Sequence, residues 1–425
     1  GEFAREDVNG KSVVVPGTYQ EVNPSPQGID DIFTAPIHGF VDAAEVVGFV
    51  LLVGGAFGIV NKTGAIESGI GHAVSKMKGL QFLIIPMSMI LFGLGGTTFG
   101  MCEETLPFYM IFIPLMTSLG YDSLTGIAVV FMGAATGTAA STINPFSVGT
   151  AQALAGIAPG SGIEYRALIF VALMAISITF VMLYANRVKK DPKKSIVYEL
   201  DKKNREHFVM DSSGIKKFTK KELSVLVVFV VGMMYMVYGV IVKGWYIPEI
   251  AMIFCIIGLL SGILGGLKQD EIVTSFIGGS KDLISAALAI ALARGIVIIA
   301  QEGHIIDTIL NSAAGFLGEL PKAVFINLTL FLENLLAFLI PSSSGLASLT
   351  IPVLAPLGDL VGVSTQEIVT AYQFGTGFTN MITPTSGVLM GALAVARIPW
   401  DKWVRFVAPL LAIIVVAGMT FLTLG

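Results

Sequence analysis

Charge is what this sequence has least of. Only 13% of its 425 residues are Asp, Glu, Lys or Arg, about half the ~25% of an ordinary soluble domain. Histidine occurs four times and cysteine twice. Cys102 and Cys255 stand far apart in apolar stretches, which reads as two small buried residues rather than a disulfide. No metal-ligand spacing, HExxH motif or Walker loop is present, and no nucleophile–base pair falls at depth in an apolar segment. These absences argue against a metal site, a cofactor and a membrane-embedded hydrolase. A net charge of −4 gives no reason to expect a nucleic-acid partner. Period-2 alternation is also missing, which removes a closed barrel and leaves helices as the way to satisfy a backbone in lipid.

What is present is apolar. The hydrophobic share is 54% and the mean hydropathy +0.79. Residues 223–242, 248–267 and 404–424 each reach the roughly 20 residues needed to cross a bilayer core. The chain reads as an all-α polytopic membrane protein with the bilayer as an obligatory partner. Residues 187–221 carry 12 of the 26 basic residues, whereas residues 1–31 carry two basic and six acidic ones. The excess of Lys and Arg on cytoplasmic loops places the former segment inside and the latter outside.

The sequence also contains itself twice, at an offset of about 239 positions. Gly39 and Asp42 fall on Gly279 and Asp282. Gly64-Ala65-Ile66 falls on Gly303-His304-Ile305, and Ile113-Pro114 falls on Ile351-Pro352. Ile143-Asn144-Pro145-Phe146-Ser147 falls on Ile382-Thr383-Pro384-Thr385-Ser386. Matched Gly/Pro interruptions in two hydrophobic halves point to a secondary transporter and to its binding site.

Residues 1–35 read as an external loop and residues 36–186 as the first repeat. That repeat has a span at 36–61, a cytoplasmic turn with a short amphipathic helix at 62–79, and a re-entrant hairpin at 80–119. A broken helix at 122–157 and a returning span at 165–186 complete it. Residues 187–222 form a basic cytoplasmic loop and residues 223–267 two scaffold spans. The second repeat, 268–425, runs upside down, with a span at 282–301, a hairpin at 321–357, a broken helix at 366–396 and a last span from 404. The sum is eight spans and two hairpins. Lys268, Lys281, Arg397, Lys402 and Arg405 all fall on the inner side, so inverted topology emerges from the charge rule without being assumed.

Irregular backbone survives at membrane depth only where protein or a wet cavity covers it. Two hairpin tips and two helix breaks meet that description. Their free N–H groups attract carboxylates, and their free carbonyls attract cations. The candidate binding residues are therefore Thr98, Glu103, Glu104 and Thr105 at the first tip, beside Thr97, and Ser342, Ser343 and Ser344 at the second. Ser141, Thr142 and Asn144 join them from the first break, and Asn380 and Thr383 from the second. The bland alternative makes the prolines kinks and the hydroxyls packing residues. An ionised carboxylate in a membrane segment needs a partner or water. Adjacent helical residues face different ways, so one glutamate should face substrate and the other protein. Arg294, inside an apolar run, is the deep basic residue; it pairs with a first-hairpin glutamate or binds a substrate carboxylate. Glu333-Asn334 on the second hairpin reads as interhelical contacts or site walls. The four histidines read as surface residues.

The segments 100–108 (Gly-Met-Cys-Glu-Glu-Thr-Leu-Pro-Phe), 293–296 (Ala-Arg-Gly-Ile) and 340–345 (Ile-Pro-Ser-Ser-Ser-Gly) resemble the YfcC-type branch of the DcuC carriers. The likeness extends over essentially the whole chain. It implies the ion transporter superfamily fold, a homodimer in a bacterial inner membrane, and elevator-type movement of hairpins and broken helices against a fixed scaffold. It further implies a further hydrophobic span ahead of Gly1. Members of that branch are described as basic amino acid antiporters, including arginine–ornithine exchangers, or as C4-dicarboxylate carriers. Glu103-Glu104 favours a cationic amino acid. Arg294 keeps a sodium- or proton-coupled dicarboxylate carrier as the alternative.

Overall fold

The computed structural model describes residues 1–8, 11–66, 68, 69, 72, 81–158, 160–208, 219–318 and 320–425. Apart from an N-terminal β-hairpin, the described chain is almost entirely helical. Seven of its helices are long and apolar enough to cross a membrane. The amphipathic helix expected within residues 62–79 lies largely outside the described residues.

The first repeat opens with α1 (Ile29–Asp42) and α2 (Ala44–Lys62). Its second-repeat counterparts are α11 (Gln269–Asp282) and α12 (Ile284–Glu302). Where the sequence suggested single spans at 36–61 and 282–301, each repeat instead has two helices jointed at Ala43 or Leu283. The first helix of each pair carries acidic and other polar residues, which hid it among loop residues. The pairs embrace reciprocally, α1 against α12 and α2 against α11, as an inverted repeat requires. Glycine makes the approach close enough. A Cβ on Gly39 would collide with the α12 backbone at Ala291 and Gly295, and one on Gly279 with the α2 backbone at Gly54 and Gly58.

The first hairpin is α3 (Ile84–Phe99) and α4 (Leu106–Ser118), and the first broken helix begins with α5 (Ser123–Ala139). Beyond the break come a wide turn at Pro145–Gly149 and the short α6 (Thr150–Leu154). The long α7 (Ile163–Lys190) returns to the basic loop, which contains α8 (Tyr198–Phe208). Asp122 starts α5 by accepting from Thr125 N at 2.8 Å, replacing a hydrogen bond the first turn lacks. The same carboxylate accepts from Tyr184 and Ser195 hydroxyls, each at 2.6 Å, fastening the break-bearing helix to α7.

Next come α9 (Lys220–Lys243) and α10 (Ile247–Gly265), which pack on each other and, through α10, on α2. The second repeat continues with α13 (Ile305–Leu317). The second hairpin is α14 (Lys322–Leu339) and α15 (Ser343–Leu360). The second broken helix is α16 (Thr365–Asn380) and α17 (Gly387–Ala396), followed by α18 (Trp400–Leu424).

The N-terminal residues are ordered rather than a plain loop. Strands β1 (Arg5–Val8) and β2 (Lys11–Val14) pair antiparallel, Arg5 opposite Val14. Phe3 N donates to Asp307 at 3.0 Å and Arg5 pairs with the same carboxylate at 2.8 Å. His304, read from sequence as an ordinary surface residue, pairs with Glu2 at 2.5 Å. The segment is thereby clasped to α13 and lies against α15.

Candidate functional site

The first tip follows from Gly100. Its φ of +73° ends α3 in the left-handed region, where glycine is strain-free, and Met101 N reaches back to Gly95 O at 3.2 Å. A tight turn at Glu103–Thr105 then starts α4. Glu104 is buried, and its carboxylate accepts from Cys102 N at 2.8 Å. Thr105 is buried and donates to Cys102 O at 2.6 Å. Glu103 is half-buried, and no other described residue hydrogen-bonds to its carboxylate or pairs with it. Tyr246 stands at the start of α10. Its ring meets that of Phe146 from the first break, centroids 5.3 Å apart.

Thr97 joins this tip to the break. Its hydroxyl donates to Ala140 O at 2.7 Å and accepts from Thr142 N at 3.0 Å. Its carbonyl accepts from the Thr142 hydroxyl at 3.1 Å. These bonds satisfy groups that the interrupted helix leaves open. Thr98 points elsewhere and bonds Leu94 O of its own helix at 2.6 Å. Asn144 caps the wide turn by accepting from Phe146 N at 2.9 Å, and its amide reaches the Ser141 hydroxyl at 3.3 Å. Gly100 sits against the Asn144 amide, where a Cβ would meet it at 2.6 Å.

The second tip repeats the plan with different groups. Ser342 begins α15 and accepts from Gly345 N at 3.3 Å. Ser343 O accepts from the Tyr372 hydroxyl at 2.6 Å, and Pro341 O from the Asn380 amide at 3.4 Å. Ser344 O accepts from Ser348 at 2.9 Å. In the break, the Thr383 and Thr385 hydroxyls stand 2.7 Å apart, and Thr379 bonds Asn334 Oδ1 at 2.9 Å.

The two breaks meet through α5 and α16. Gln373 donates to Thr138 O at 2.5 Å, and Gly377 lies against Ala139 so tightly that no Cβ would fit. Each hairpin also reaches the other repeat's broken helix, α4 touching α17 and α15 touching α6. The tips and breaks are thus knit into one unit.

Arg294 is not part of that unit. It forms an ion pair with Asp42 across the α1–α12 crossing, rather than with a first-hairpin glutamate. The deep arginine that sequence reading missed is Arg166, on α7, 2% exposed. Its guanidinium donates to Ser141 O at 3.4 Å and to Thr370 Oγ1 at 3.3 Å. The Gln366 amide oxygen, turned toward it, accepts at 2.7 and 2.9 Å. Arg166 therefore ties α7 to both broken helices without a carboxylate partner among the described residues. Its signal was weak: Glu164-Tyr165-Arg166 looks like the polar rim of a span.

Residues 3–425 match the family described as C4-dicarboxylate anaerobic carrier, DcuC. The putative basic amino acid antiporter YfcC of Escherichia coli is 40% identical over 383 residues, covering 88% of this chain and 75% of that protein. An uncharacterised Haemophilus influenzae protein is 36% identical over 98% of this chain and 82% of its own length. Among solved structures, the Alcanivorax borkumensis YdaH transporter aligns over all of this chain and 93% of its own, at 17% identity and a TM-score of 0.46. The family is one of carriers rather than enzymes. With its apolar spans, inverted repeats and paired hairpins, the chain belongs to the DcuC family and is a multi-pass bacterial membrane transporter.

Proposed function

We propose that this transporter exchanges cationic amino acids, arginine for ornithine, across the inner membrane. The observation that carries the reading is the Glu103–Glu104 pair at the first tip. Glu104 is occupied by the Cys102 amide, and Glu103 is the carboxylate left for a guanidinium or ammonium group. A charge-assisted hydrogen bond there is roughly twice as strong as a neutral one. The 40%-identical relative, a putative basic amino acid antiporter, agrees. Backbone and hydroxyl groups of Ser141, Thr142, Asn144, Asn380, Thr383 and Ser342–Ser344 would take the amino acid's own carboxylate and amine. In this reading the hairpins and broken helices form a mobile transport domain that moves elevator-fashion past α9 and α10 in a homodimer.

A second reading, a C4-dicarboxylate carrier driven by sodium or protons, draws on one observation: Arg166 is a buried cation beside Ser141 with no carboxylate partner among the described residues. Counterflow uptake in proteoliposomes separates the two. Arginine and ornithine should exchange for each other and compete, while succinate and fumarate should not. Exchange of succinate for fumarate, untouched by arginine, would replace the first reading with the second.

A further inference from the structure

We propose that Glu333 is a proton-binding site whose loading accompanies closure of the second hairpin. Glu333 stands two-thirds of the way along α14. It is fully buried, and neither carboxylate oxygen has a hydrogen-bond partner among the described residues. No described Lys, Arg or His pairs with it. Thr350 of α15 approaches it, but that hydroxyl is already given to Leu346 O at 3.0 Å. Thr329 lies four residues back, on the same helix face, and its hydroxyl is likewise buried without a partner. Gly375 of α16 lies directly against it, since a Cβ there would collide with that of Glu333.

Among the described residues, no cationic side chain of the surrounding elements pairs with Glu333. The titratable group facing Glu333 from α16 is Tyr372, a neutral phenol that donates to Ser343 O. On α13, Asp307 is held by Arg5; on α12, Arg294 is held by Asp42. Lys402 and Arg405 lie in the first turns of α18, with Arg405 exposed. A bare carboxylate in such surroundings is strongly disfavoured, so the group takes a cation. A metal ion such as sodium prefers a cage of several oxygens. A proton needs one oxygen and leaves the acid a hydrogen to share with Thr329.

Position gives the proton a role. Glu333 is enclosed by both arms of the second hairpin and by α16. The same α16 holds the tip shut through Tyr372–Ser343 and Asn380–Pro341. Loosening the hairpin would wet Glu333 and release the proton; closing it requires the proton back. Hairpin motion and proton binding are then linked, as reciprocal coupling demands. The inference rests on the carrier assignment and is independent of which substrate is carried.

The test uses the full chain and Glu333→Gln, which keeps the shape of the neutral acid. In detergent, a pH titration followed by infrared difference spectroscopy should show the C=O stretch of a protonated carboxylic acid in the parent and its loss in Glu333→Gln. In proteoliposomes, uptake of labelled arginine should respond to an imposed pH gradient in the parent and not in the variant, while arginine–arginine counterflow survives. Absence of arginine counterflow in the parent would speak against the substrate reading alone, and the infrared arm would still judge Glu333. The same band in both proteins, equal responses to the pH gradient, or a variant that loses a sodium response instead would overturn the proposal. If the variant loses counterflow too, the infrared titration decides.

Discussion

Arg294 and Asp42, 252 residues apart in sequence, form an ion pair where α12 crosses α1. The arginine therefore serves the jointed helix pairs, one from each repeat, rather than the hairpin tips. Its side chain is 27% exposed and that of Asp42 43%, so the pair lies between the regimes of surface and buried bridges. Arg294→Met should destabilise by about 1–2 kcal/mol, and Asp42→Asn added to it should cost little more. Melting curves of the detergent-solubilised single and double variants read this coupling. Additive losses would show that the pair is not an energetic unit. The apparent affinity for substrate should be unchanged.

Thr97 and Thr98 are neighbours with opposite duties. Thr97 holds the first break through Ala140 and Thr142, whereas Thr98 bonds only within its own helix. Thr97→Val removes the donor to Ala140 O, while Thr142 N keeps Thr97 O as an acceptor at 3.0 Å; leaving the Ala140 carbonyl without that donor costs about 1–3 kcal/mol. It should lower both melting temperature and counterflow rate. Thr98→Val should stay within about 0.5 kcal/mol. Equal behaviour of the two variants would contradict the docking role of Thr97.

Arg166 bridges Ser141, Thr370 and Gln366 with a planar fork of donors. Lysine gathers its three donors on one nitrogen at the end of a flexible stem and cannot reproduce that planar fork. Arg166→Lys should lose about 2–3 kcal/mol, the scale of hydrogen bonds to a charged group, and should slow exchange because both broken helices lose a common anchor. A variant with wild-type melting and transport would show that these contacts contribute nothing.

Much of this arrangement was legible because breaks in apolar runs must be made of Gly, Pro, Asn, Ser and Thr, and the repeat marked each one twice. Gly100, Asn144-Pro145 and Thr383-Pro384 announced themselves in that way. The jointed helices were not legible: α1 contains Asp30, Asp31 and His38, and α11 contains Asp270, Glu271 and Lys281, so neither shows an apolar run. Which way a side chain points was also beyond reach. One residue of register separates Thr97 from Thr98, and Arg166 turns inward from a helix start that reads as a polar rim. The partner of Arg294 could not be found from sequence because it depends on a crossing between repeats, and crossings are set by glycines whose neighbours are hundreds of residues away.

The most exposed consequence of the proposed function concerns Glu103 and Glu104. The Glu104 carboxylate already accepts from Cys102 N at 2.8 Å, so it shapes the turn, and Glu104→Gln can keep an acceptor oxygen in that bond. Glu103 has no such tie to another described residue. If a guanidinium or ammonium group docks there, Glu103→Gln removes its counter-charge at nearly constant size. Losing one partner of a desolvated charge pair costs about 2–5 kcal/mol, which is roughly a 30-fold or greater loss of affinity. Glu103→Gln should therefore abolish arginine–ornithine counterflow while melting like the parent, and Glu104→Gln should show the smaller transport defect and the larger change in melting. A dicarboxylate would reverse the sign, since removing a negative charge beside a dianion tightens binding or leaves it unchanged. Scintillation proximity binding with labelled arginine and labelled succinate on both variants reads the two cases directly. Undiminished arginine binding in both variants would refute the cationic assignment and shift the site toward Arg166.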